Sequence, residues 1–157
     1  GVVLAALLFI RRMSEISNVS AITGELGGDR VEPVDDPDAI ERREVPDHVV
    51  VFEIQGPFFF GAVDGFRDAA MSHRSTEDRI IILRMRMVPA IDATGLNVLA
   101  DFLRQCRKEK IGLILSGVLP DSQPMRAMEH YGLAAEIGKE NICPHIDKAL
   151  ARARALV

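Results

Sequence analysis

Tryptophan is absent from the 157-residue sequence, tyrosine occurs once and aromatic residues make up only 5%. Stacking on nucleic-acid bases needs aromatic faces, and neutralising phosphates needs a basic one. With 19 Lys and Arg against 23 Asp and Glu, a formal charge of -4, the chain offers neither, so no nucleic-acid partner is expected. Cysteine is scarce too. Cys106 and Cys143 are far apart in apolar contexts, which excludes a disulfide scaffold and suits a reducing compartment. Cys143 with His145 supplies two ligands where a tetrahedral metal site needs four, so neither metal nor cofactor is expected. The G-x-x-x-x-G-K-[ST] loop, the G-x-G-x-x-G turn, the G-x-S-x-G elbow and the H-E-x-x-H helix are all missing, which removes the motif basis for nucleotide, hydrolase and metalloprotease chemistry.

What is present is enough apolar residue, 48%, for one ordinary core, but it is unevenly spread. Gly1 to Ile10 is apolar all round and ends at Arg11-Arg12. A spanning helix needs about 20 such residues, so this is half of one. A signal peptide would place its cations before the apolar run, and a buried core helix would show a polar stripe and a cap. Residues 1–13 are therefore expected to be the end of a transmembrane helix, truncated at its start, with the two arginines at the cytoplasmic surface under the positive-inside rule. Residues 14–38 hold Gly24, Gly27, Gly28, Pro33, Pro37 and seven carboxylates without apolar periodicity, and read as an acidic linker.

Residues 39–157 read as the folded domain. Ile40 to Val45 and Val49 to Ile54 flank Pro46-Asp47, which predicts an opening β-hairpin. Phe58-Phe59-Phe60 leads into a helix carrying Val63, Phe66 and Ala70 on one face. Ile80-Ile81-Ile82-Leu83 is the continuous run of a strand buried on both sides. Leu96, Leu99, Leu103 and Cys106 follow the spacing of one helical stripe from Asp92 onward. Ile111 to Ser116 predicts the next strand, and Asp121 or Ser122 caps a helix that stops at Gly132. Ile142-Cys143 predicts a short strand, and Ile146, Ala149, Leu150 and Ala153 a final helix. Alternating strands and helices give an α/β fold, a mixed sheet with parallel central strands and helices packed against it.

One segment has chemical potential. At Asp92-Ala93-Thr94-Gly95 a strand and turn feed a helix N-terminus, where Asp92 can accept from first-turn N–H groups and Thr94 presents a hydroxyl beside them. Such a start suits a carboxylate, an oxyanion or a phosphoryl group on Thr94; it also suits an ordinary Asp N-cap followed by small residues. An enzyme using Asp92 as acid or base would need a companion His, Lys or Glu that the loop lacks. The Phe58-Phe59-Phe60 run suits core packing, with an interface role for any ring left exposed.

Val49-Val50-Val51-Phe52-Glu53-Ile54-Gln55-Gly56-Pro57-Phe58-Phe59-Phe60-Gly61-Ala62, the isoleucine-rich strand, and then Ile91-Asp92-Ala93-Thr94-Gly95-Leu96 together resemble the STAS domain at the C-terminus of SulP-type anion transporters. The likeness runs from about Val45 to the C-terminus. It implies the STAS, or anti-sigma factor antagonist-like, fold and a non-enzymatic regulatory domain on the cytoplasmic side of the inner (plasma) membrane. The attached transporter would carry sulfate, bicarbonate, dicarboxylate or a related anion. The partners it implies are the transmembrane domain of the same transporter, a second copy in a homodimer, a cytosolic regulatory protein, and a nucleotide or anion. The same fold is shared by soluble anti-sigma factor antagonists, whose D-S-S-G-like loop is switched by phosphorylation at its second hydroxyl residue. Thr94 holds that position and Ala93 replaces the first serine, so a soluble antagonist switched at Thr94 is the alternative.

Overall fold

A run such as Ile80-Ile81-Ile82-Leu83 has no side to give to solvent, so it folds as a strand only where both faces of the sheet are covered. The computed structural model describes residues 2–5, 18–21, 36–55, 70–72 and 74–157, and it provides that cover. Five strands, β1 (Asn18–Ala21), β2 (Val49–Gln55), β3 (Ile80–Met87), β4 (Gly112–Ser116) and β5 (Ile142–Cys143), lie side by side in sequence order. β1 runs antiparallel to β2, and every later pair is parallel. Among the described residues the helices with both ends in view are α1 (Ala93–Lys108), α2 (Gln123–Tyr131), α3 (Leu133–Ile137) and α4 (Ile146–Leu156), with 3-10 turns at Ile40–Arg42 and Lys139–Asn141; residues 70–72 are helical too.

Strand alternation divides the core in two. Val50, Phe52, Ile54, Ile81, Leu83 and Met85 face α1, whose buried stripe of Leu96, Leu99, Phe102, Leu103 and Cys106 packs on them, with Met128, Leu133 and Ile137 closing the layer. Val49, Val51, Ile80, Ile82 and Ile114 face the other way, beneath Ile146, Ala149, Leu150 and Ala153 of α4. Both predicted helical stripes are therefore buried. Ser122 is the cap of α2, its hydroxyl accepting from Met125 N–H, and Gly132 ends that helix in the left-handed region at φ 87.

The expected hairpin does not form. Ile40–Arg42 is a 3-10 turn rather than a strand, and the antiparallel neighbour of β2 is Asn18–Ala21, which lies inside the stretch read as a linker. Ile40 is buried and Val45 half-buried against the α4 layer, so their apolar character serves packing and not strand pairing. Residues 2–5 are helical, with Val2, Val3 and Leu4 exposed; the remainder of the expected transmembrane end, 1–13, lies outside the described residues. Phe58, Phe59 and Phe60 lie outside them as well. Among the described residues no helix is long and apolar enough to cross a membrane.

Burial pushes the Cys106 thiol up to about 12, the carboxylate of Glu109 adding to the effect, and burial raises the Cys143 thiol as well. A thiol reacts as its thiolate. In the folded chain at pH 8 both cysteines are expected to resist an aromatic disulfide reagent, and both to react within minutes after denaturation. Stoichiometric labelling of the native chain within the same time contradicts this packing.

Candidate functional site at the carboxyl edge of the sheet

The turn after β3 leads through Ile91 into Asp92, whose extended backbone (φ -100, ψ -178) makes it the N-cap of α1. Its Oδ1 accepts from Gly95 N–H at 2.8 Å, and its carbonyl accepts from Leu96 N–H at 2.9 Å. Small residues follow for a reason. Gly95 is buried at the helix start, Thr94 is half-buried and Ala93 exposed. The loop is held from outside by a side-chain amide: Gln123 Oε1 accepts from Ile91 N–H at 2.9 Å while Gln123 Nε2 donates to Ile91 carbonyl at 3.0 Å. This two-point bond joins the start of α2 to the loop, and Tyr131 hydroxyl donates to Asn97 on α1. The positive end of α1 is thus fixed in place with the Thr94 hydroxyl beside it.

A second polar group lies on the face covered by α4, where the strands change from apolar to charged along their length. Val49 and Val51 are followed on that face by Glu53, Ile80 and Ile82 by Arg84 and Arg86, and Ile114 by Ser116. Glu53 and Arg84 are 3% and 1% exposed. Arg84 Nη1 meets Glu53 Oε2 at 3.2 Å, and Arg84 Nη2 donates to Asp38 carbonyl at 2.7 Å. Arg86 reaches Glu53 Oε2 at 3.3 Å through Nε and Asp36 Oδ2 at 2.6 Å through Nη1. Asp38 N–H and the Arg86 guanidinium hold the Asp36 carboxyl below the usual range. Nearby, Arg43 grips Asp147 in the first turn of α4 with two bonds of 2.7 and 3.0 Å. That pairing lowers the Asp147 carboxyl and raises the Arg43 guanidinium.

Of the residues expected to form a site, Asp92, Ala93, Thr94 and Gly95 stand together at the α1 start. Glu53, Arg84, Arg86 and Asp36 were not anticipated as a group. Their signal was parity: charged side chains two apart in β3, and one in β2, sit in runs otherwise apolar enough to be buried. Among the described residues no group of three or more His, Cys, Asp and Glu is placed to hold a metal ion.

The fold is matched by known proteins. The family described as STAS domain matches residues 40–149. The chain belongs to the STAS domain family. A crystal structure of a sulfate transporter family protein from Wolinella succinogenes is 42% identical, with 78% of this chain and 98% of that one covered and a TM-score of 0.70. The STAS domain of a SulP transporter from Vibrio cholerae is 29% identical over 72% of this chain and 86% of that one, with a TM-score of 0.61. A putative sulfate transporter, YvdB, of Bacillus subtilis (strain 168) is 29% identical over 94% of this chain, which spans 25% of that protein's length. An anti-sigma factor antagonist from Mycobacterium paratuberculosis, 20% identical with a TM-score of 0.58 over 71% of this chain and 90% of that one, shares the fold alone. This STAS chain is therefore related to the STAS domains of SulP-type anion transporters.

Two outcomes follow from the geometry. Asp92→Ala removes the cap and is expected to lower stability by about 1 kcal/mol, with Asp92→Asn close to the parent, because either side chain can accept from first-turn N–H groups; urea denaturation checks both. The second concerns acid. Carboxyls held below their ordinary value of about 3.9 stabilise the fold above that pH, and the contribution is lost as pH falls through the folded value. Stability is expected to fall between about pH 5 and pH 2 on this account. Arg43→Met should make that fall smaller and move the Asp147 titration, followed by carboxyl NMR, up towards its ordinary value. An unmoved Asp147 titration contradicts the pairing.

Proposed function

We propose that this chain is the non-enzymatic cytoplasmic STAS portion of a SulP-type membrane transporter of sulfate or a related anion, with bicarbonate and dicarboxylates in the same class. The observation that carries this reading is the alignment of 94% of the chain with just 25% of a putative sulfate transporter. A module of that proportion regulates or scaffolds; the permeation path belongs to the rest of the protein. The exposed apolar helical turn at residues 2–5 supports the same reading, since Val2, Val3 and Leu4 are residues a bilayer would accept. The partners in this reading are the transmembrane domain of the same polypeptide and a second copy in a homodimer.

The Asp92 to Gly95 loop serves as the regulatory contact. It has the properties such a surface needs: a fixed helix start with a positive end, an accessible hydroxyl at Thr94, and a mechanical link to α2 through Gln123. The identity of the loop residues favours a contact surface over catalysis, as no general acid or base accompanies Asp92.

In the full-length protein reconstituted into vesicles, deletion of residues 40–157 is expected to lower anion flux or dimer assembly several-fold. Normal flux together with normal assembly overturns the reading. For the loop, Thr94→Glu adds a negative charge where the α1 dipole tolerates it, so folding is retained. A change in flux of at least a few-fold at unchanged expression is expected, and unchanged flux removes the loop from regulation.

A further inference from the structure

Residues 36–44 lie on the α4 side of the sheet without joining a strand, and a short 3-10 turn is their one regular element. Their backbone bonds are local: the N–H groups of Ala39, Arg42 and Arg43 donate to the carbonyls of Asp36, Ala39 and Ile40 at 3.2, 3.4 and 2.9 Å. Burial holds Ala39 and Ile40. Guanidinium groups tie the segment to the rest of the domain. From β3, Arg84 Nη2 donates to the Asp38 carbonyl at 2.7 Å and Arg86 Nη1 to Asp36 Oδ2 at 2.6 Å. From α4, Arg154 Nη2 donates to the Glu44 carbonyl at 2.9 Å, and Arg43 of the segment itself grips Asp147.

Arg43 has two tasks. Its Nη1 donates to the Pro37 and Ala39 carbonyls at 3.1 and 2.9 Å, and its Nη2 meets Asp38 Oδ1 at 3.3 Å, so the planar group that sets the segment's internal shape also fastens it to α4. Losing one role loses the other. Two of its carboxylate partners, Asp38 and Asp147, are exposed, and ion pairs in that setting weaken as salt is added. Charge favours return. Among the described residues Arg84 and Arg86 share one carboxylate on the sheet, that of Glu53, while residues 36–44 hold four carboxylates against two arginines. When the segment lifts, Glu53 still has both arginines, so the pair that joins β2 to β3 stays whole.

We infer that residues 36–44 form an ionic strap that docks and releases as one unit while the sheet beneath it stays folded, with Arg43 as its clasp. Segments with few buried apolar groups and solvent-reachable bonds open at lower free energy than core strands do. The strap is anchored on both sides. Ahead of it the chain is paired to β2 through β1, and behind it the chain enters β2 at Val49, so the middle lifts while the ends keep their places. Release uncovers Ile40 and its seat beneath α4, and takes the Asp36 carboxylate away from Arg86. The device responds to ionic strength. It is separate from the Asp92 loop and requires nothing of the transport reading.

The test is backbone hydrogen exchange on the 157-residue chain, followed residue by residue by NMR. The amides of Ala39, Arg42 and Arg43 are expected to share one protection factor, at least about a hundred-fold below that of the central β3 and β4 amides. Raising sodium chloride from about 0.05 M to about 1 M should widen that gap several-fold. Arg43→Met should lower strap protection about ten-fold with β3 and β4 unchanged, and Arg43→Lys, which keeps the charge but not the planar fork, should do nearly the same. Asp147→Asn breaks the tie from the α4 side with every strap residue in place, and should act in the same direction. Strap amides without protection, amides that exchange only with the strands, three unrelated protection factors, or protection indifferent to salt and to Asp147→Asn each overturn the inference.

Discussion

Two opposite charges meet where the sheet is fully covered, and the position of everything around them follows from that meeting. Glu53 and Arg84 are direct neighbours in the β2–β3 register. A slip of either strand by one residue would turn its charge to the opposite face, against the leucines and Phe102 of α1, and leave the partner's charge unpaired, which is intolerable. The pair therefore specifies register more than it adds stability. Replacing both partners with apolar residues of similar volume can be neutral, whereas removing one alone costs about 3–5 kcal/mol. β3 carries an extra residue just beyond this point, since Glu53 pairs with Arg84 while Gln55 pairs with Met87. The irregularity lies where the strands pass from apolar packing to the charged edge.

From the same pair the chain ahead of β2 takes its path. Residues 36–44 contain little that could be held by burial besides Ala39 and Ile40, and arginines hold them instead. Arg84 binds the Asp38 carbonyl, Arg86 binds Asp36, and Arg43 turns back onto the Pro37 and Ala39 carbonyls while reaching α4 through Asp147. Planar guanidinium groups suit this work because one side chain can satisfy several oxygens in fixed directions. The segment leading into β2 and the last helix are thereby fastened to each other on one face of the sheet.

The elements legible in the sequence were those whose evidence is local. The Ile80 to Leu83 run, the Leu96, Leu99, Leu103 and Cys106 stripe, the Asp92 cap and the stop at Gly132 each depend on a few neighbouring residues, and all stand in the fold. β1 was not legible. Asn18–Ala21 has no alternating pattern, and its place depends on backbone pairing with β2 some thirty residues later, a term that side-chain periodicity does not report. Ile40 to Val45 misled for the opposite reason, because apolar residues bound for a core beneath α4 look the same as those bound for a strand. The four residues at Asp92 to Gly95 were readable as a helix start. The charged cluster was not, since its members come from three separated segments and only the folded sheet brings them to one face.

β5 is two residues long, and the residue after it is Pro144, which has no N–H to offer a neighbour. A sheet margin this short is a poor template for another strand. The same brevity guards the chain against edge-to-edge aggregation at this side. Among the described residues the other margin, β1, is only four residues long, so neither edge presents a long row of unpaired backbone groups.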